Sequence, residues 1–97
     1  MKIIDFHSHI LPGVDHGSDS LETTLAQLEL SKRSGVEVIV ATPHFYPHIL
    51  RLSDFISKRD AAYGSLVDVN GISVLCGAEV LLCEKLQQFE GLDALCI

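Results

Sequence analysis

Short apolar runs alternate along the chain with stretches whose apolar residues recur at helical spacing. The apolar runs predict four strands, at residues 2–6, 36–41, 72–76 and 92–97, and the run at 36–41 is rich in β-branched residues. Three helices are predicted between them: one from a cap at Asp19 to a stop at Gly35, one from Ser53 to about Val67, and one over 84–89. The resulting order, β-α-β-α-β-α-β, favours an α/β fold of parallel strands joined by right-handed crossovers.

The first helix has the most regular pattern of the three. Leu21, Leu25 and Leu28 follow one another at i, i+4 and i+7, which predicts a single apolar face turned towards the core. Asp19 as the cap and Glu22 three residues later have the spacing of a capping box. We therefore expect this helix to pack through its leucines.

All five histidines lie in the first half of the chain, close to predicted strand ends: His7, His9, His16, His44 and His48. Residues i and i+2 of an extended backbone point the same way, so His7 and His9 can converge on one metal ion. His44 follows the second strand and Glu79 the third, and parallel α/β folds build their sites at these carboxyl ends. Imidazole and carboxylate groups together suit manganese, iron or zinc better than calcium.

Further polar residues surround this predicted metal site. The loop after the first strand adds Asp15 and His16 as candidate ligands. His48 has two interpretations: an exposed loop residue, or a residue that gates the access of a ligand. Asp5 is expected to support a histidine rather than to bind metal itself.

Composition excludes several classes of function. Seven basic residues against thirteen acidic ones give a net charge of −6, which argues against a nucleic-acid-binding surface. An anionic substrate remains compatible, because a bound metal supplies positive charge locally. No apolar run approaches the ~18 residues of a membrane span, so we expect no membrane insertion and a cytoplasmic location. The three cysteines form no CxxC pair, which argues against a zinc knuckle or a disulfide framework.

The chain length limits the architecture. With 97 residues the chain cannot close an eight-unit (β/α) barrel, which needs roughly 200 residues or more. A last apolar strand at 92–97 would leave a sheet edge exposed. We therefore expect either a fragment of a larger barrel or a homo-oligomer that covers this edge.

Three stretches carry most of the predicted chemistry: DFHSHILPGVDHG at 5–17, ATPHFYPH at 41–48 and GAEV at 77–80. In this order they resemble the first three motifs of the polymerase and histidinol phosphatase (PHP) family of metal-dependent hydrolases. Within that family they are most similar to the bacterial capsular-polysaccharide tyrosine-protein phosphatases. The resemblance covers the whole chain.

This resemblance implies a fold and a chemistry. The fold is a distorted (β/α)7 TIM-like barrel, of which residues 1–97 would be a single partial domain lacking the C-terminal half. The site would hold up to three divalent metal ions, manganese most often. A metal-activated hydroxide would attack phosphorus, without a cysteine nucleophile.

The resemblance also implies roles for individual residues. His7 and His9 match the ligands of the first strand, His44 the ligand of the second motif, and Glu79 a carboxylate that bridges metals. His16 occupies the position before Gly17, where this branch usually has aspartate and related branches have histidine; Asp15 is the fallback. His44 or His48 is expected to aid proton transfer.

Three functions are compatible with these features. The first is hydrolysis of phosphotyrosine in protein, with a tyrosine kinase of polysaccharide synthesis as substrate, in the control of capsule or exopolysaccharide. The second is a PHP phosphatase for a small metabolite such as histidinol phosphate. The third is a truncated, non-catalytic remnant or a metal-binding module that self-associates. Because the ligands and arginines of the family's second half are absent, we expect weak activity or none from the 97-residue chain.

Overall fold

Parallel strands and two long helices make up most of the described structure. The computed structural model describes residues 3–66, 71–81 and 91–96. Its five strands are β1 Ile3–Ser8, β2 Val36–Ala41, β3 His44–Phe45, β4 Ser73–Cys76 and β5 Glu79–Val80. Its helices are α1 Leu21–Arg33, α2 Leu52–Gly64 and a short 3-10 helix, Leu92–Leu95.

The strands form two parallel sheets. The larger has the order β1-β2-β4, and the smaller pairs β3 with β5. This confirms the predicted α/β class with parallel strands. In the described residues the larger sheet is open, with β1 and β4 at its edges, so these residues do not themselves form a barrel.

Several predicted boundaries agree with the structure and others differ by a few residues. β2 spans the predicted range, and Gly35 ends α1 at a φ of 95°. β1 continues two residues beyond its predicted end, because Ser8 still belongs to the ladder with β2 through Ala41. α2 begins at Leu52, and the position before it, Arg51, provides no side-chain cap. The predicted helix at 84–89 lies outside the described residues.

The strand predicted at 92–97 is wrong where the structure describes it. Gly91 has a φ of 83°, and its carbonyl accepts a hydrogen bond from the Ala94 N–H at 3.0 Å, which starts the 3-10 helix. Leu95 is thereby buried against the aromatic residues Phe45 and Phe55. A short apolar run does not distinguish a strand from a buried helical turn, and tertiary packing decides here.

The predicted N-cap of α1 is also wrong. Ser20 is the cap, and its hydroxyl accepts a hydrogen bond from the Thr23 N–H at 3.2 Å. The Asp19 carboxylate instead accepts one from the Thr23 hydroxyl at 2.8 Å. Both residues suit a cap chemically, so the sequence alone could not place the boundary to within one position.

The buried face of α1 differs from the predicted leucine stripe. Leu28 is buried, but Leu21 and Leu25 are 40% and 44% exposed. The buried face runs instead through Thr24 and Leu28, four residues apart. Thr24 lies inside because its hydroxyl donates a hydrogen bond to the carbonyl of Ile10. Hydrophobicity alone cannot predict a buried threonine that is satisfied in this way.

Two hydrophobic clusters support the fold in the residues that the structure describes. The larger lies between the β1-β2-β4 sheet and the helices, and its buried members are Ile10, Leu11, Leu28, Ile39, Ala41, Leu66 and Ile72. The smaller contains Phe45, Phe55 and Leu95 and lies beside the β3-β5 sheet. None of the helices described in 3–66, 71–81 and 91–96 combines the length and hydropathy that crossing a bilayer requires.

Candidate metal centre

His7 and His9 come together at the carboxyl end of β1, as their spacing predicts. His7 lies within β1 and His9 directly follows it. Their rings are in an edge-to-face arrangement with centroids 5.0 Å apart, and the two Nε2 atoms are 3.3 Å apart. The extended backbone therefore directs both imidazoles to one point.

A hydroxyl fixes the orientation of the first ring. The Thr42 Oγ1 lies 3.1 Å from His7 Nδ1 and also accepts a hydrogen bond from the Ser8 N–H at 3.2 Å. The hydroxyl hydrogen can be donated to the Ser8 carbonyl, also at 3.2 Å. When Thr42 donates to this carbonyl, it accepts from His7 Nδ1, and in that tautomer His7 Nε2 keeps a lone pair for a metal ion.

A carboxylate fixes the second ring in the same way. His9 Nδ1 donates to Asp15 Oδ2 at 2.9 Å, so its Nε2 also carries a lone pair. Asp15 is largely buried and accepts two further hydrogen bonds, from the backbone N–H groups of Gly17 and His44. Burial by itself raises the pKa of Asp15, but these two donors and His9 together hold the pKa below its ordinary value. Asp15 is therefore ionised when it orients His9.

The loop after β1 can approach His9 this closely only because residue 17 is glycine. A Cβ at Gly17 would clash with the backbone of His9. The next residue, Ser18, donates its N–H to the His9 carbonyl at 2.9 Å. Gly17 thus allows the loop to fold back and place Asp15 against the ring.

Glu79 reaches this centre through the small sheet. His44 of β3 and Glu79 of β5 are directly paired, and the Glu79 N–H donates to the Pro43 carbonyl at 2.9 Å. Glu79 Oε2 lies 2.8 Å from His44 Nδ1, while Oε1 lies 2.8 Å from His7 Nε2 and 3.5 Å from His9 Nε2. One carboxylate therefore connects residues of both sheets, with a separate oxygen for each side.

The donor set fits divalent cations. In the tautomers with hydrogen on Nδ1, the Nε2 atoms of His7 and His9 and the Oε1 atom of Glu79 are acceptors that face one another, an arrangement that a cation bound between them would satisfy. Ligands around a metal with bonds of ~2.1 Å are roughly 3.4 Å apart in a tetrahedral arrangement, close to the separations found here. A second triplet of potential ligand atoms, also within 4.8 Å of one another, comes from His9, Asp15 and His44.

The structure does not bring His16 and His48 into either triplet. Both side chains are exposed. His16 lines a cavity together with His44, and the ring of His48 lies edge-on to Tyr46 with centroids 6.3 Å apart. Asp5 supports His7 through the backbone, since its carboxylate accepts the His7 N–H at 3.1 Å. The ligand role of His16 and the proton-transfer role of His48 stay predictions.

Sequence reasoning missed three residues that shape the centre. Thr42 orients His7, and its signal is a hydroxyl residue directly after an apolar strand. Tyr46 stacks on His44 with centroids 5.4 Å apart, which the alternation of positions 44 and 46 could have indicated. Arg59 is buried on α2 and donates to the Gly77 carbonyl at 3.2 Å, two residues before Glu79. No sequence pattern marks Arg59.

The structure describes two of the three thiols, those of Cys76 and Cys96. Burial, the largest effect, raises the pKa of Cys76, so its thiolate is disfavoured. Cys96 is exposed, and both thiols are free. Cys83 lies outside the described residues.

Comparison with known proteins identifies the family. The family of capsular polysaccharide synthesis proteins CpsB/CapC matches residues 3–87. The chain belongs to this family. Its membership agrees with the resemblance predicted from the three motifs.

Relatives and a solved structure extend this result. The tyrosine-protein phosphatase CpsB of Streptococcus agalactiae is 50% identical over 42 residues, which cover 43% of this chain and 17% of that protein. YwqE of Bacillus subtilis, also a tyrosine-protein phosphatase, is 38% identical over 42 residues, covering 43% of this chain and 16% of the relative.

One solved structure is similar over 89% of this chain, with a TM-score of 0.70 and 26% identity. It comes from work on YwqE of B. subtilis and CpsB of Streptococcus pneumoniae, described as unique metal-dependent tyrosine phosphatases. This chain covers 36% of that one, so it spans only a part of the length of its relatives.

Proposed function

We propose that this chain is the metal-binding part of a phosphoesterase that hydrolyses phosphotyrosine in protein. The observation that carries the proposal is the Glu79 carboxylate, whose two oxygens each lie 2.8 Å from an imidazole nitrogen, one on His7 and the other on His44. A carboxylate in this position can bridge two cations. The names of the CpsB and YwqE relatives support a tyrosine phosphatase.

The residues divide into ligands and groups that hold them. His7 and His9, with one oxygen of Glu79, would hold one cation, and His44 with the other oxygen would hold a second. Asp15 keeps His9 in place and Thr42 does the same for His7. When bound, such cations neutralise a phosphoryl group and lower the pKa of a coordinated water. We assign manganese first, with iron and zinc as alternatives.

The side chains outside the two triplets take the remaining tasks. His16 faces the cavity beside His44 and is the candidate for a further ligand. His44 Nδ1 is already engaged by Glu79, so the exposed imidazole of His48 is the better candidate for proton transfer to the leaving group. Proton transfer by His48 does not require its ring to contact the carboxylates of Asp15 or Glu79.

The whole enzyme is larger than this chain in our proposal. We propose that residues 1–97 form a single partial domain of a distorted (β/α)7 barrel, and that the rest of the barrel supplies further ligands. The substrate would be a tyrosine kinase of polysaccharide synthesis, in the cytoplasm, in the control of capsule or exopolysaccharide. The support is the family, whose members serve capsular polysaccharide synthesis.

Two assays on the purified chain test the proposal. Manganese binding is measured by titration calorimetry, and phosphate release from a phosphotyrosine peptide with added manganese is compared with that of full-length YwqE. We expect the chain to bind manganese and to release phosphate far more slowly than YwqE. Histidinol phosphate as a second substrate distinguishes a metabolite phosphatase.

The test variant is Glu79→Gln and its control is Glu37→Gln. Glu37 is an exposed glutamate near the start of β2, the end of the strand that points away from the metal centre. Glu79→Gln should lose manganese binding and any phosphate release, and Glu37→Gln should keep both. A chain that binds no manganese would overturn the proposal and favour a non-catalytic remnant.

A further inference from the structure

A cavity of about 440 Å³ opens beside the candidate metal centre. Its polar end is formed by Asp15, His16 and His44, and its wall continues with Tyr46 and Phe55. This volume is within the usual range for small-molecule sites, roughly 300–1,000 Å³. The cavity therefore has room for an organic group attached to a phosphate that is held at the metal centre.

Three aromatic rings lead from the metal centre into this cavity. The ring of His9 stacks on that of His44 with centroids 4.6 Å apart and an angle of 18°. The ring of His44 stacks in turn on Tyr46, at 5.4 Å and 12°. The phenol ring of Tyr46 is thus held nearly parallel to two candidate ligand rings and forms part of the cavity wall.

α2 gives the cavity an apolar floor and a positive charge. Phe55 is 2% exposed, and Lys58 follows three residues later, which places both on the same face of the helix. In the described part of the chain, Arg33 and Arg59 form ion pairs with carboxylates, whereas Lys58 forms none. Although the chain has a net charge of −6, the ammonium group of Lys58 attracts an anion locally.

We propose that this cavity is the subsite for the aromatic ring of the substrate, with Tyr46 and Phe55 in contact with the ring and Lys58 attracting the anionic phosphate that the ring carries. The inference rests on the proposed function and adds a preference to it. The cavity selects aryl phosphates over alkyl phosphates, because two flat aromatic side chains line the space beside the phosphate position.

The test measures the binding of two phosphonates that the protein cannot hydrolyse. Phenylphosphonate and methylphosphonate are titrated into the 97-residue chain with saturating manganese, and the ratio of their dissociation constants is compared. We expect phenylphosphonate to bind about three- to tenfold more tightly, the size of a single aromatic contact. Tyr46→Leu should remove this ratio, and Tyr46→Phe should preserve it.

The charge is tested with Lys58→Gln against the control Lys32→Gln, because Lys32 is exposed in the last turn of α1 and does not line the cavity. Lys58→Gln should weaken phenylphosphonate binding about threefold, and Lys32→Gln should not change it. A direct measurement needs no variant: with zinc in place of manganese, nuclear Overhauser effects should connect the phenyl protons to those of Tyr46.

The outcomes separate this inference from the function on which it rests. Equal binding of both phosphonates by a manganese-loaded chain, or a preference that survives in Tyr46→Leu, overturns the ring subsite and leaves the phosphoesterase proposal standing. Binding of manganese without binding of either phosphonate also overturns the ring subsite, whereas a chain that binds no manganese overturns both proposals.

Discussion

The two sides of the metal centre rest on supports of very different size. His7 and His9 project from the end of β1, which pairs with β2 in the larger sheet and is backed, among the described residues, by a cluster of seven buried residues. His44 and Glu79 belong to β3 and β5, strands of two residues each, beside a cluster that has three buried members in the part of the chain that the structure describes. The side with His7 and His9 is supported by the larger hydrophobic cluster, and the side with His44 and Glu79 by the smaller one.

This difference indicates where the centre is vulnerable. Glu79 contacts imidazoles on both sides, so it joins the small sheet to the large one. Loss of packing beneath β3 and β5 should therefore reach His7, although His7 lies in the better-supported sheet. The small sheet should also open more easily, because within residues 3–66, 71–81 and 91–96 few hydrogen bonds and few apolar contacts hold it.

The largest expected effect comes from Phe55→Ala. Phe55 is buried against Phe45, with ring centroids 4.8 Å apart, and its truncation should cost about 3–5 kcal/mol. In hydrogen exchange, the Leu81 N–H, which is bonded to the Phe45 carbonyl, should lose more protection than the Thr42 N–H, which is bonded to Ser8.

The reference for this prediction is Leu28→Ala in the larger cluster. In that variant the N–H groups of Leu81 and Thr42 should lose similar amounts of protection from hydrogen exchange. Equal loss of protection at Leu81 and Thr42 in Phe55→Ala would show that the two sheets unfold as one unit, contrary to the comparison.

An intermediate effect is expected from Arg59→Met. Its guanidinium donates to the carbonyls of Gly77 and Ala94, so the substitution leaves two acceptors without their donor and should cost about 1–3 kcal/mol. Thermal unfolding measures this cost. Arg33→Met, in an exposed pair with Glu29, is the control and should cost about 0.5 kcal/mol or less. If the two variants lose similar amounts of stability, Arg59 does not support the small sheet.

A smaller effect on stability, but a clear one on metal binding, is expected from Thr42→Val. The substitution keeps the shape and removes the hydroxyl that orients His7, so manganese affinity should fall about tenfold. Calorimetry measures the affinity, and Thr23→Val, at the exposed start of α1, should leave it unchanged. An undiminished affinity in Thr42→Val would mean that β1 alone sets the orientation of His7.

The same contrast explains what the sequence could predict. The convergence of His7 and His9 follows from their i, i+2 spacing on a strand, and the position of Glu79 near them follows from the shared end of parallel strands. The β3-β5 ladder that pairs His44 with Glu79 was not predicted, because two-residue strands carry no periodic signal.

Other features depend on contacts between distant residues. Thr24 is buried by a hydrogen bond to Ile10, fourteen positions away, and Arg59 reaches Gly77 across eighteen. The turn at Leu92–Leu95 forms because Leu95 packs on the aromatic residues of the small cluster. Local patterns contain none of this information, so such residues appear only once the chain is folded.

The most direct test of the account is a crystal structure of the chain with manganese, with the ions located by anomalous scattering. We predict one ion about 2.1–2.3 Å from His7 Nε2, His9 Nε2 and one oxygen of Glu79, and a second on the other oxygen with His44. A Glu79 carboxylate that binds no ion, while manganese occupies another place, would contradict the account.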